Sequence, residues 1–152
     1  MNKDKLKQFV DALDALSDDI KDWDVDMDSE ERPTCGTPGC HAGLIYMAAE
    51  DLPELQDIYE RIVLSKWNSC SYRYEVWSNA LTVFLGFKNK GGLRLWANDN
   101  PKLWGNRFGE GMFVFRLAFT DDTDKQLTHR DIINHWKQVL KKVEEEEVKN
   151  DE

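Results

Sequence analysis

The sequence has few cysteines and no long apolar run, and both absences limit the classes of protein to which it can belong. Its three cysteines are an odd number in a chain without a secretion signal, so we expect reduced thiols and a cytoplasmic location. The wholly apolar runs are only a few residues long, and no signal-like apolar region follows the charged first residues. These absences exclude a disulfide-rich secreted scaffold and a transmembrane protein.

Sequence motifs of the common catalytic classes are also missing. There is no Gly-x-Ser-x-Gly nucleophile elbow, no Walker loop and no His-Glu-x-x-His helix. The three histidines, at positions 41, 129 and 135, have no carboxylate at a fixed spacing that would orient them. Catalytic groups that come together only in space would escape such a search. We predict no enzymatic activity, no catalytic residue and no cofactor.

The chain is rich in core material and in surface charge. Hydrophobic residues make up 41% of its 152 residues, with six Trp and seven Phe, and charged residues make up 32%. A chain of this length fits one domain, which buries roughly 68–70% of the surface that it exposes when unfolded. We expect a single domain over residues 1–143, followed by an acidic, frayed C-terminal tail over 144–152.

Apolar residues at helical spacing predict a mainly α fold, a bundle of about five helices. The first helix covers residues 6–20 and follows Asn2, which is a good N-cap. The second covers 38–52, and Pro53 opens the third because proline presets the backbone angle of a first helical position. The last helix begins after Thr128, where the sequence is typical of a capping box.

The region between the third and the last helix is harder to divide. A fourth helix over 71–85 is predicted to end at Gly86, in the position where a left-handed residue closes a helix. Glycine and asparagine around 87–111 indicate short helical turns within loops. Alternating and β-branched residues at 22–28 and 112–119 add a small two-stranded β-ribbon to the prediction.

The segment from Cys35 to Gly43 is the element around which we expect the other helices to pack. Thr37 suits an N-cap and Pro38 a first helical position, and small residues three and four apart let another helix approach closely. An anion cradle is less favoured, because Pro38 removes a backbone donor. A small zinc-stabilised module is an alternative, although Cys35, Cys40 and His41 lack a paired fourth ligand. The predicted structural motif comprises Cys35, Gly36, Thr37, Pro38, Gly39, Cys40 and Gly43, and no metal is assigned to it.

The net charge of −9 is unevenly distributed. Residues 1–60 carry −11, residues 61–116 carry +6 and residues 117–152 carry −4, so the segments either neutralise one another or present separate faces. If residues 18–31 are extended, their charges lie about 5 Å apart, against about 1.7 Å in duplex DNA. Nucleic-acid mimicry would therefore need further carboxylates on the same face. The predicted partner-binding face comprises Asp22, Asp24, Asp26, Asp28, Glu30 and Glu31.

The middle segment mixes cations with aromatic rings, a combination typical of proteins that bind nucleotides or single-stranded nucleic acid. The same residue types also form cores and groove walls, with Arg or Lys covering the rings. A nucleotide or single-stranded nucleic-acid binder is therefore the alternative prediction. Its ligand-binding residues would be Arg94, Trp96, Trp104 and Arg107.

The chain carries a Cys-Gly-Thr-x-x-Cys-x-Ala-Gly motif at Cys35 to Gly43, then Leu85-Gly86, then Leu95-Trp96, then a helix capped by Thr128. In this order the features resemble a group of small bacterial and bacteriophage proteins that has no assigned activity. The resemblance implies a phage accessory protein in the host cytoplasm and carries no catalytic residues over. Together with the acidic face, it predicts a non-catalytic interaction protein, such as an anti-defence protein, that engages a host protein by imitating nucleic acid.

Overall fold

A computed structural model describes residues 1–22, 41–64, 73–89, 91–100 and 128–150. Helices and no strand lie in these ranges, so the fold is mainly α, as the sequence predicts. The two segments of the predicted β-ribbon lie outside the described residues, apart from Asp22. The helices are α1 (Lys3–Asp14), α2 (Asp18–Lys21), α3 (His41–Ala49), α4 (Pro53–Leu64), α5 (Arg73–Phe84), α6 (Gly92–Asp99) and α7 (His129–Asn150).

Helix α1 begins where its cap predicts and packs on α7. The side chain of Asn2 accepts a hydrogen bond from the backbone N–H of Lys5 at 3.1 Å. Phe9 is fully buried and meets Trp136 of α7 edge to face, with ring centroids 5.1 Å apart. This contact joins the two ends of the chain in one core.

The prediction of one helix over residues 6–20 is wrong at its C-terminal end. Helix α1 ends at Asp14, and Ser17 has an extended backbone. The hydroxyl of Ser17 accepts a hydrogen bond from the N–H of Ile20 at 3.3 Å and so begins α2 as a separate turn. Serine favours this capping role over a helix interior because its hydroxyl competes for backbone hydrogen bonds.

Helix α3 contacts α1, α4, α5 and α7, which confirms the central position predicted for this helix. Leu44, Ile45 and Ala48 are fully buried, as in a helix that is apolar on almost every side. Its predicted start at Pro38 lies outside the described residues. The predicted end near Leu52 is three residues too late, because α3 ends at Ala49 and a turn follows. Pro53 begins α4 as predicted.

Gly86 closes α5 in the left-handed conformation that its position predicts, with φ at +93°. Its N–H donates to the carbonyl of Val83 at 2.9 Å, and the N–H of the next residue donates to the carbonyl of Thr82 at 3.2 Å. These are the two bonds of a Schellman motif. The carbonyl of Leu85 accepts from the N–H of Asn2 at 2.7 Å, which ties the end of α5 to the start of α1.

The last two helices differ in part from their predicted bounds. The stretch 87–111 contains α6, an eight-residue helix, where only short turns were predicted. At the start of α7 the N–H of Thr128 donates to Asp131 at 2.9 Å, which confirms one half of the predicted capping box. Helix α7 continues to Asn150 and so includes most of the segment predicted to fray.

Candidate functional site

The predicted acidic face is described only at Asp22, and its other members, Asp24, Asp26, Asp28, Glu30 and Glu31, lie outside the described residues. Asp22 follows α2, and its carboxylate accepts a hydrogen bond from Nε of Arg130 on α7 at 3.0 Å. Arg130 also lies 3.4 Å from Asp18. Hydrogen bonds with Asp22 and Asp18 raise the pKa of the Arg130 guanidinium above its ordinary value. Asp22 is therefore already paired within the chain.

Asp14 is paired in the same way with two lysines. Its Oδ1 lies 2.5 Å from Nζ of Lys137 on α7 and 3.5 Å from Nζ of Lys21. The hydrogen bond with Lys137 lowers the pKa of Asp14 and outweighs the opposite effect of desolvation. In this part of the fold, acidic residues of α1 and α2 pair with basic residues of α7, so these ion pairs join two segments that each carry a net negative charge.

The alternative ligand-binding set is described only in part. Trp96 lies on α6, partly buried against the core, with its ring centroid 6.1 Å from that of Phe87. Arg94 belongs to the same helix, whereas Trp104 and Arg107 lie outside the described residues. Trp96 thus has a packing role, and nothing in the described ranges brings the set together.

The predicted structural motif is described only at its C-terminal end. Gly43 lies within α3, two residues after its first residue, and Cys35, Gly36, Thr37, Pro38, Gly39 and Cys40 precede the described part. Among the described residues, no three His, Cys, Asp or Glu side chains are grouped so that they could hold a metal ion. Within those same ranges no helix is long and apolar enough to span a membrane.

A cleft of about 210 Å³ opens between α3, α4 and α5, and aromatic rings line much of it. Tyr59 of α4 stacks on Trp77 of α5, with centroids 3.8 Å apart and ring planes inclined by 10°. Tyr46 of α3 meets the same Trp77 at 76°, with centroids 5.7 Å apart. Trp77 is buried, whereas Tyr46 leaves 47% of its surface exposed. The cleft therefore combines a rigid aromatic stack with an accessible ring.

Two carboxylates and one amide complete the lining of the cleft. Glu50, Gln56 and Glu60 join the aromatic residues and Ala49, so the lining contains two carboxylates and neither Lys nor Arg. Glu60 lies four residues after Gln56 on α4, a spacing that places both side chains on the same side of the helix, and Glu50 lies in the turn directly after α3. Carboxylate oxygens accept hydrogen bonds, and the faces of aromatic rings are negative. Both features favour a cation.

Exposed carboxylates continue from the cleft along α4. We call this surface the acidic patch; it comprises Glu50, Asp51, Glu54, Asp57 and Glu60, all exposed, with no Lys or Arg between them in the sequence. Lys5 of α1 pairs with Glu54 and lies 5.4 Å from the centroid of the Phe84 ring. Among the described residues, the other four carboxylates have no ion pair with Lys or Arg. Arg61 follows Glu60 on α4, and its Nε donates a hydrogen bond to the backbone carbonyl of Asp57 at 3.4 Å. The five carboxylates outnumber Lys5 and Arg61, so the patch keeps a net negative charge.

Tyr46, Tyr59 and Trp77 are not among the binding residues predicted from the sequence. The available signal was the spacing of four that joins Gln56 to Glu60 on the third predicted helix. That spacing predicts neighbours on one helix but not which side of the helix faces a cleft. Comparison with protein-family models, curated proteins and solved structures finds no match to this chain. The resemblance to bacterial and phage proteins thus stays a prediction.

Proposed function

We propose that the protein is a non-catalytic interaction protein that binds a basic surface of a partner through its acidic patch. The observation that carries the proposal is the set of five exposed carboxylates between residues 50 and 60, with no Lys or Arg between them in the sequence. Like charges three and four residues apart on a helix destabilise it by about 0.2–0.5 kcal/mol per pair. A basic partner would remove that cost and would be attracted over long range.

The proposal for the partner and the setting rests on the sequence. We propose that the partner also contacts the acidic segment that contains Asp24, Asp26, Asp28, Glu30 and Glu31. A partner that needs a basic surface for its own function, such as a nucleic-acid-binding host protein, fits this chemistry. The resemblance to phage proteins adds an accessory or anti-defence role in the host cytoplasm.

Charge reversal with a matched control tests this proposal. The full chain captures its partner from host lysate, and the purified partner is then titrated against the wild type, against Glu50→Lys/Asp57→Lys/Glu60→Lys and against a variant with residues 144–146 reversed to Lys. We expect the patch variant to lose binding and the helix α7 control to retain most of it, with unchanged circular dichroism in both. Wild-type binding should weaken steeply with salt, because charges on an exposed surface are screened beyond about 8–10 Å.

Two results separate the parts of the proposal. Equal binding by the wild type and the patch variant would exclude the acidic patch. Reversal of Asp24, Asp26 and Asp28 to Lys tests whether the partner contacts this acidic segment: we expect a further loss of affinity, and retained affinity would confine the contact to residues 50–60.

A further inference from the structure

We propose that the cleft between α3, α4 and α5 binds the guanidinium group of an arginine side chain on the partner. This inference deepens the proposed function and rests on it for the source of the arginine. The size and the aromatic lining of the cleft support it, together with Glu50 and Glu60, rather than the total charge of the acidic patch.

The size of the cleft limits its occupant to a small group. Sites for drug-sized ligands and cofactors usually enclose about 300–1,000 Å³. The cleft measures about 210 Å³ and is open on one side, so it fits a single side chain better than a complete nucleotide or cofactor. A side chain that enters such a cleft anchors the surrounding interface, and arginine is one of the residue types that most often has this role.

The aromatic part of the lining favours a flat cation. The stacked pair of Tyr59 and Trp77 is held between α4 and α5, and Tyr46 approaches from α3, so the rings are positioned before a ligand arrives. A guanidinium group is planar, weakly hydrated and able to stack on an aromatic ring. A lysine ammonium is a compact, strongly hydrated charge that loses more of its hydration when it enters an aromatic cleft. The aromatic lining therefore favours arginine over lysine.

The carboxylates that line the cleft can accept hydrogen bonds from the N–H groups of the same guanidinium. Glu50 and Glu60 both line the cleft, and they come from different elements, one directly after α3 and the other on α4. The five N–H donors of a guanidinium group can reach two carboxylates at once. A free amino acid would bring its own carboxylate towards the acidic patch and be repelled, so the geometry and charge together assign the cleft to a side chain within a polypeptide.

A titration of the full chain with a short neutral-ended peptide tests this assignment. The probe is acetyl-Gly-Arg-Gly-amide, and the matched control peptide contains citrulline, which has the same shape without the charge. The readout is the ring signals of the four tyrosines, labelled with ¹³C, with Tyr46 identified from the Tyr46→Phe variant. We expect the Tyr46 and Tyr59 signals to move saturably with the arginine peptide and not with the citrulline peptide. Unmoved signals, or equal shifts with citrulline, would overturn the inference.

Paired substitutions within the acidic patch distinguish binding in the cleft from attraction by the total charge of the patch. Glu50→Gln/Glu60→Gln removes two charges from the lining, and Asp51→Asn/Asp57→Asn removes two charges from the same patch outside it. We expect the first variant to bind the arginine peptide about 3- to 10-fold more weakly and the second to change affinity less than about 2-fold. Equal losses in both variants would refute a specific site in the cleft.

Two further titrations, with free arginine and with a lysine peptide, identify the source of the ligand, and a comparison with the partner assay distinguishes the two proposals. Free arginine should bind more weakly than the peptide, and tighter binding of free arginine would show a small-molecule site instead. A lysine peptide should also bind more weakly, and equal binding would overturn the preference for guanidinium. If the partner still requires the acidic patch while the arginine peptide leaves Tyr46 unaffected, the proposed function stands and the cleft inference fails.

Discussion

Replacing Gly86 with alanine tests the most local part of the fold, the junction between α5 and α1. Gly86 has φ at +93°, and a Cβ atom built on it lies 3.3 Å from both N and Cβ of Asn2. A side chain would therefore meet two obstacles. It would adopt a backbone conformation that L-residues rarely take, and it would press on the residue that caps α1.

The expected loss follows from three contributions. A left-handed conformation costs a non-glycine residue about 1–2 kcal/mol. Displacing Asn2 weakens an N-cap whose full loss typically costs about 1 kcal/mol. Alanine also reduces the entropy of the unfolded chain, which returns about 0.4–1 kcal/mol. We expect a net loss of about 1–2 kcal/mol, or a melting temperature about 2–8 °C lower for a chain of this length.

Thermal and urea unfolding of Gly86→Ala measure this loss, with Gly91→Ala as the matched control. A Cβ atom at Gly91 meets nothing within 4 Å, so the control should stay within about 0.5 kcal/mol of the wild type. Gly86→Asn distinguishes the two obstacles, because asparagine tolerates left-handed angles better but has the same Cβ atom. If Gly86→Ala and Gly91→Ala have the same melting temperature, the argument from backbone angle and contact is refuted.

Three further substitutions test the core, a cap and an ion pair. Phe9→Ala should lower the unfolding free energy by about 3–5 kcal/mol in urea denaturation, since it empties the buried contact with Trp136; a loss below about 1 kcal/mol would contradict that packing. Asn2→Ala should cost about 1 kcal/mol in the same assay, and unchanged stability would show that the cap is dispensable. Because the pKa of Asp14 is lower in the folded state, its stabilisation is present above about pH 4 and is lost as the pH falls further. Asp14→Asn should therefore flatten this acid dependence in unfolding measured against pH, whereas a curve parallel to that of the wild type would exclude the contribution.

Features decided by a few neighbouring residues could be predicted from the sequence. The Asn2 cap, the left-handed Gly86 and the start of α4 at Pro53 each depend on local backbone chemistry, and the structure confirms all three. The break at Ser17 was missed because apolar residues continue the helical period on both sides of it. One serine hydroxyl competes there with the periodic pattern, and periodicity alone does not show which interaction is stronger.

The candidate site could be predicted only in part, because it depends on packing between helices. The acidic character of residues 50–60 is visible in the sequence, but the cleft appears only when α3, α4 and α5 are placed together. Tyr46 and Tyr59 are both aromatic residues of helices, yet Tyr46 is nearly half exposed and Tyr59 is stacked on Trp77. Composition does not distinguish these roles. In the same way, charge alone did not show that Asp22 pairs with Arg130.

The most direct test of the central claim is an amide NMR map of the full chain, labelled with ¹⁵N, as a short arginine-rich peptide is added. If the acidic patch and its cleft bind basic polypeptides, the largest shifts fall between residues 46 and 60 and at Trp77, and they disappear in Glu50→Lys/Asp57→Lys/Glu60→Lys. Shifts centred on α6, or shifts that persist in the reversed variant, would contradict the account.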